Sequence, residues 1–391
     1  MCRSARSRLA QIFDSLFDSL FDSVLAQLHA PVFAIIAGLS LSSISTYAQV
    51  TIPTLLVGDP GNASDTTSFG RVDYLYNIAT YEVTAGQYAA FLNAVARTDF
   101  NGLYNPSQAS SNPLGSGLIR SGFSGNFTYS VHPNFANRPV TFVSFWDATR
   151  FANWMHNGQP IGLQNNSTTE DGAYTLTISG ITNNTVTRNP DWQWALTSED
   201  EWYKAAYYKG GNTNAGYWAY PTRSNQLPGR DLNDPTGNNA NYFDSLFPGP
   251  IQSPFFATLG GEFQNSASPY GTFDQGGNVW EWNEAIIIFF GSSFRGQLGG
   301  SFDFIHTALR ADTRSFISPS EESQSYGFRV VQAQSQPCIA DFNQDGGVTG
   351  DDVAAFFTDF QQGKPAADVN QDGGITGDDV AFFFTRFEQG C

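Results

Sequence analysis

The sequence predicts an α+β, loop-rich domain followed by a small all-α module. Three observations carry this. Short amphipathic helices with recognisable caps alternate with short apolar runs over residues 49–333, separated by long stretches rich in Gly, Asn, Ser and aromatic residues. Residues 341–352 (DFNQDGGVTGDD) recur at 368–379 (DVNQDGGITGDD), and each copy runs into an apolar-striped segment. The charge divides at the same place: residues 341–391 hold ten acids and two bases, in a chain whose net charge is −17.

The 391 residues are 41% hydrophobic and 15% aromatic, enough for a packed core and long enough for two or three domains. Lysine occurs only at Lys204, Lys209 and Lys364. A chain so acidic lacks the basic patch that phosphate backbones require, so no nucleic-acid partner is expected. The histidines (His29, His132, His156, His306) show no metal-ligand spacing.

From Ser23 to Gly58 there is no charged residue, and the apolar run Val32–Leu39 ends in small polar residues and Thr46-Tyr47-Ala48. This is the pattern of a signal peptide cleaved near Ala48, so residues 1–48 are assigned to a signal-peptide region. The run is too short for a membrane span, and no transmembrane segment is expected in the mature chain. An extracellular or cell-surface location follows. FDSLFDSLFDS (13–23) places Phe13, Phe17 and Phe21 on one helical face. It reads as a membrane-surface helix or, preferably, as a translation start placed too early.

In the mature chain, Thr84-Ala85-Gly86-Gln87 forms a capping box before the stripe Tyr88, Phe91, Leu92, Val95. Ser144 and Asp147 repeat it before Ala148, Phe151, Ala152 and Met155, with Gly158 as the stop. Ser198 and Glu201 open a third helix carrying Trp202, Ala205 and Ala206. Strand-like runs are expected at Val140–Phe145, Trp192–Leu196 and Gly327–Val331. Residues 210–275 hold many aromatics and almost no period, so their order requires a metal or a dense hydrogen-bond web. The core domain is placed at 49–333, a linker at 334–337, and the acidic module at 338–391.

Six blocks of the core follow one another in order: Tyr81-Glu82-Val83-Thr84 with Gln87-Tyr88; Arg138-Pro139-Val140 leading to Ser144-Phe145-Trp146-Asp147-Ala148; Leu196–Trp202; Tyr270–Trp282 (YGTFDQGGNVWEW); Arg295-Gly296 with Gly299-Gly300-Ser301-Phe302; and Arg310, Arg314 and Gly327-Phe328-Arg329-Val330. Together they resemble the formylglycine-generating enzyme, or sulfatase-modifying factor, family. The resemblance implies a variant of the C-type lectin fold. It also implies two cysteine thiolates that bind copper(I), but the matching positions here are Phe304 and Leu309, and no cysteine lies between Cys2 and Cys338. Soft thiolates select copper(I), so neither copper nor formylglycine-forming oxidase activity is expected. A second enzymatic branch adds an iron-binding helical domain, for which nothing before residue 50 provides. Family calcium sites would map onto the Asp274 side chain, the Gly277 and Val279 carbonyls and the Glu281 side chain, and onto Asn241 and Tyr242. Glu281 equally suits a loop cap or a partner for an arginine, and the Asn241 site has no matching downstream carboxylate. All eight tryptophans fall within 146–282. Trp218 is the best candidate for an exposed one.

In the C-terminal module, oxygen ligands stand at positions 1, 3, 5 and 12, with Gly at 6, as in an EF-hand loop. The first set is Asp341, Asn343, Asp345, the Gly347 carbonyl, Thr349 and Asp352. The second is Asp368, Asn370, Asp372, Gly374, Thr376 and Asp379. Val353, Phe356, Phe357, Phe360 and their twins Val380, Phe383, Phe384, Phe387 follow. About fifty residues cannot build a large core, so calcium is expected to supply much of the folding energy. The duplicated unit resembles a dockerin, and its Gly390-Cys391 ending resembles planctomycete surface modules. The resemblance implies a cohesin-like or cell-envelope anchoring partner, with Cys391 either paired to Cys338 or serving as an attachment point.

The combined reading is a secreted, calcium-binding, non-catalytic protein whose lectin-like core binds a glycan, such as a polysaccharide, or a peptide. The alternatives are an enzyme of the same family with non-copper chemistry, drawing on Asp147, Glu199, Asp200, Asp274 or Glu281, and a purely structural surface component.

Overall fold

The computed structural model describes residues 49–109, 113–334, 338–345, 347–370 and 373–389. The signal-peptide region 1–48, linker residues 335–337, Asp372 and Cys391 lie outside the described residues.

The three capped helices form as the sequence dictates. In α1 (Ala85–Val95), Thr84 Oγ accepts from Gln87 N at 3.2 Å and Gln87 Oε1 accepts from Thr84 N at 2.9 Å. The stripe Tyr88, Phe91, Leu92, Val95 is fully buried. α2 (Phe145–His156) is capped by Ser144 and Asp147 and stops before Gly158, whose φ is +78°. Its Phe151 and Trp154 meet Phe91 at ring separations of 5.4 and 5.3 Å, and Phe328 closes on Phe151 at 5.4 Å. Each buried aromatic of this cluster contributes about 1.5–3 kcal/mol. α3 (Ile178–Thr182) has no apolar stripe and was not foreseen. Thr177 Oγ, accepting from Gly180 N at 3.0 Å, starts it. α4 (Glu199–Tyr207) buries Trp202, Ala205 and Ala206 as expected.

Among the described residues, ten strands form three sheets. β1 (Thr54–Val57), β2 (Tyr76–Ala79), β10 (Val330–Ala333) and β5 (Trp194–Leu196) pair antiparallel in that order. The first and last strands of the domain thereby share one sheet, with β2 between them. β3 (Leu118–Ser121) and β4 (Thr128–Val131) form a hairpin. The third sheet runs β8 (Ser315–Ile317), β7 (Ser292–Leu298), β6 (Trp280–Phe289), β9 (Tyr326–Gly327). β6 and β7 shift register between Trp282 and Ile286, and their turn places Phe290 (φ +47°) and Gly291 (φ +80°) in the left-handed region. β9 pairs only with Trp280 and Glu281, so the apolar end of β6 outlasts that neighbour.

Two strand expectations are corrected. Val140–Phe145 is not a strand, because Phe142 turns through φ +54° and Phe145 already belongs to α2. Gly327–Val331 is split, with strand pairing ending at Gly327 and resuming at Val330. β10 extends to Ala333, which hydrogen-bonds through its N–H to Gln193 O at 2.9 Å.

Residues 208–279 contain neither helix nor extended strand. A hydrogen-bond web orders them. Asn278 N donates to Asn241 O (2.8 Å), Thr258 N donates to Asn278 Oδ1 (2.9 Å), and Asn278 Nδ2 donates to Glu82 Oε1 (3.0 Å). Gly277, at φ +84°, lies so close to residue 241 that a Cβ there would stand 2.1 Å from Asn241 O. Only glycine meets both demands.

In the acidic module, α5 (Gly350–Gln361) and α6 (Gly377–Gln389) bring together the two predicted stripes. Phe356 and Phe383, equivalent positions of the two repeats, stack at 4.3 Å and 2°. No helix among the described residues is long and apolar enough to cross a membrane.

Candidate functional site

The two acidic loops share one internal design. In the first, Asp352 Oδ1 accepts from Asn343 N (3.1 Å) and Oδ2 from Thr349 N (2.8 Å). In the second, Asp379 repeats both bonds with Asn370 N (3.3 Å) and Thr376 N (2.7 Å). Both position-12 carboxylates are buried. The Thr349 and Asn343 amides hold the Asp352 carboxyl below the usual carboxylate range. Asp345 N donates to Asp341 Oδ1 (3.0 Å) and to Asn343 Oδ1 (2.9 Å), and Gly347 N donates to Asp345 Oδ1 (3.0 Å). The side-chain oxygens at positions 1, 3 and 5 thus lie on the inside of one small turn. This all-oxygen donor set fits a hard cation such as calcium. Asp341, Asn343, Asp345, Asp352 and Asp368, Asn370, Asp379 would hold it, and Asp352 and Asp379 also brace the loops. Asp372 lies outside the described residues. Cys338 is disulfide-bonded and its Sγ accepts from Asp341 N at 3.2 Å.

The expected core calcium set is arranged differently. Glu281 is fully buried and paired with Arg329: Oε2 accepts from Arg329 Nε (2.6 Å) and Trp202 Nε1 (2.7 Å), and Oε1 from Arg329 Nη2 (2.7 Å). Arg329 also donates to the Ala79 and Phe273 carbonyls at 3.0 and 2.9 Å. Asp274, at φ +60°, accepts from Gly261 N at 2.6 Å, and burial pushes its carboxyl up to about 6. Burial and the neighbouring Asp274 and Glu281 carboxylates push Glu82 well above the usual range. Three acids therefore gather about one guanidinium, and that guanidinium supplies the positive charge. As placed, Glu281 fits the arginine-partner reading. Asn241 and Tyr242 are likewise engaged: Asn241 Nδ2 donates to Phe256 O (2.8 Å), and the Tyr242 hydroxyl to Pro228 O (2.8 Å). Asn241 nevertheless bridges Gly277, so the two expected core sites are adjacent. The central role of Arg329 was missed; its only sequence signal is the Gly-Phe-Arg-Val block, which does not name its partner.

The remaining acids have structural duties. Glu199 pairs with Arg314 (2.5 Å), and Asp200 Oδ1 accepts from Gly70 N (2.7 Å). Asp147 accepts from Ser144 N (2.8 Å) and Oγ (2.6 Å). Burial, with Glu322 nearby, pushes Asp147 up to about 7. An unfolded aspartate titrates near 4. This group therefore favours the fold most below about pH 4, and that contribution is lost as pH rises through about 7. The melting temperature of Asp147→Asn, relative to the native chain, is expected to climb between pH 4 and pH 8. A pH-independent difference would refute this assignment.

Phe304 and Leu309 sit in different surroundings. Leu309 is fully buried, while Phe304 is 45% exposed and lies edge-on to Trp280 at 5.3 Å. Phe243 N donates to Phe304 O at 2.8 Å, tying this turn to the 228–247 loop. Ile305, Leu246 and Phe247 are exposed by 51, 80 and 70%. Phe304, Ile305, Leu246 and Phe247 are thus exposed apolar side chains on two loops joined by that hydrogen bond. Leu246 and Phe247 carry no sequence signal, being isolated apolar residues in an aperiodic stretch. Trp218, the best candidate for an exposed tryptophan, is half-buried, with Lys209 Nζ 4.7 Å from its ring centre.

No curated protein matches the chain. Similar solved structures include CarF (20% identity, covering 73% of this chain and 99% of CarF, TM-score 0.47) and variable protein 1 of Treponema denticola (17%, 74% and 98%, 0.43). PvdO from Pseudomonas aeruginosa is a third (16%, 73% and 93%, 0.37). Residues 59–334 match the sulfatase-modifying factor enzyme 1-like domain. That match spans most of the chain and contains the Glu281–Arg329 knot and the Phe304 surface, and the protein belongs to the sulfatase-modifying factor enzyme 1-like domain family.

Proposed function

We propose that this family member is a secreted or surface-attached, non-catalytic ligand-binding protein, tethered by its calcium-folded, dockerin-like module. One observation carries the reading. Where the family resemblance places two copper-binding thiolates, this chain has Leu309 buried and Phe304 on an exposed apolar surface. Exposed apolar patches rimmed by polar groups mark interaction sites. The acids that converge in the core are buried on Arg329 rather than set in an open cleft, which gives acid/base catalysis no support.

Two measurements test this. A cysteine-containing peptide incubated with the chain, copper(I), oxygen and a thiol is expected to show no formylglycine by mass spectrometry; its formation overturns the reading. Random-peptide display against the chain is expected to enrich binders that a Phe247→Ser/Phe304→Ser variant loses. No enrichment would remove the ligand-binding reading of the Phe304 surface.

A further inference from the structure

A second region of the core has the features of a binding site. A cleft of about 470 Å³ opens where α2 ends, lined among others by His156, Asn157, Asp171, Thr175, Asn189 and Asp191. That volume is within the roughly 300–1,000 Å³ of small-molecule sites. Its walls are polar, and neither lysine nor arginine lines it.

The hydrogen-bond bookkeeping of the walls defines what they can recognise. Asn157 Nδ2 is engaged with the Thr168 and Asp171 carbonyls (3.1 and 2.7 Å), and Asn189 Nδ2 with Gly172 O (2.8 Å). Thr175 Oγ donates to Asp171 Oδ1 at 2.8 Å. His156 Nδ1 accepts from Gln193 N at 3.0 Å, so the neutral ring carries its hydrogen on Nε2. Among the described residues, these bonds use the Asn157 and Asn189 amide donors to hold the wall in place. They leave Asn157 Oδ1, Asn189 Oδ1, Asp171 Oδ2 and the whole Asp191 carboxylate as acceptors, with His156 Nε2–H and the exposed Asn166 side-chain amide as donors. A wall fixed in this way loses little freedom on binding.

We propose that this cleft binds a neutral, polyhydroxylated ligand, a saccharide unit. Hydroxyl groups are the ligand chemistry that both donates to clustered carboxylate and amide oxygens and accepts from the few N–H groups beside them. Two carboxylates without a neighbouring cation disfavour anionic sugars, and so polar a lining gives an apolar ligand nothing to bury against. The proposal does not rest on the Phe304 surface, which other residues build.

The test applies the full chain, with calcium present throughout, to an array of neutral, sulfated and uronic-acid saccharides. Neutral saccharides are expected to be retained and acidic ones not. Asp191→Ala removes an exposed side chain with no partner among the described residues. It is expected to lower retention about tenfold or more, as for hydrogen bonds to a charged group, without moving the melting temperature. Phe304→Ser is expected to bind as the native chain does. Failure to retain any neutral saccharide, or equal retention by Asp191→Ala, overturns the proposal. So does the loss of one bound calcium in Asp191→Ala, which would make the cleft a cation site.

Discussion

Replacing Arg329 by methionine is expected to destabilise the core by about 3–5 kcal/mol, the range for breaking one partner out of a buried ion pair. For a domain of this size, that is a fall in melting temperature on the order of 10 °C. The reason is local. Arg329 and Glu281 are both fully buried, Arg329 meets Glu281 through two nitrogens, and it also holds the Ala79 and Phe273 carbonyls from two other segments. Without the guanidinium, Glu281 keeps only Trp202 Nε1, beside Asp274 and Glu82. Glu281→Gln is expected to cost less, because Arg329 retains its carbonyl acceptors and Asp274 nearby. Calorimetric melts of the native chain and both variants at pH 7 check this. An Arg329→Met melt within a degree or two of native would mean that the knot is not the stabilising buried ion pair described.

Chelating calcium is expected to unfold the C-terminal module while the core retains its melting transition. The Phe356–Phe383 stack and its neighbours form a small cluster, and only Phe356, Ala367 and Phe383 are fully buried in it. That is too little apolar burial to offset the chain entropy of about fifty residues or the repulsion of the loop acids. Calorimetric titration of the full chain with calcium is expected to show two sites that Asp341→Ala/Asp368→Ala abolishes. Helix content should be lost on chelation and restored by calcium. Asp341 and Asp368 are the informative positions, because Asp352 and Asp379 also brace their loops and their loss would confound binding with folding. No heat of binding, or helices indifferent to a chelator, would remove the calcium-folded tether.

Much of this architecture is legible in the sequence because its signals are local. Thr84, Ser144 and Ser198 each announce a helix within four residues, and the stripes behind them have one period and one buried face. The two acidic loops carry their ligand pattern in twelve residues. What was not legible depends on distant partners. Val140–Phe145 is apolar enough for a strand, but the left-handed turn at Phe142 and the Ser144 cap divert it. Glu281 and Arg329 lie 48 residues apart, and nothing near either one names the other. The order of residues 208–279 comes from asparagine side chains reaching across loops, a pattern without period. The cleft beside His156 is assembled from the end of a helix and two loops whose polar residues look individually ordinary.

The β6–β7 hairpin has a consequence for the protein in bulk. β9 accompanies β6 for two residues only, and beyond it Ile288, Phe289 and Phe290 are exposed by 68, 48 and 93%. A bare apolar strand edge is a template on which another extended chain can add. Self-repulsion from a net charge of −17 opposes such contacts. Salt shortens the reach of that repulsion to about 8 Å at physiological strength. Crowding and ionic strength, rather than the stability of the fold, therefore govern how densely copies of this protein can be kept apart.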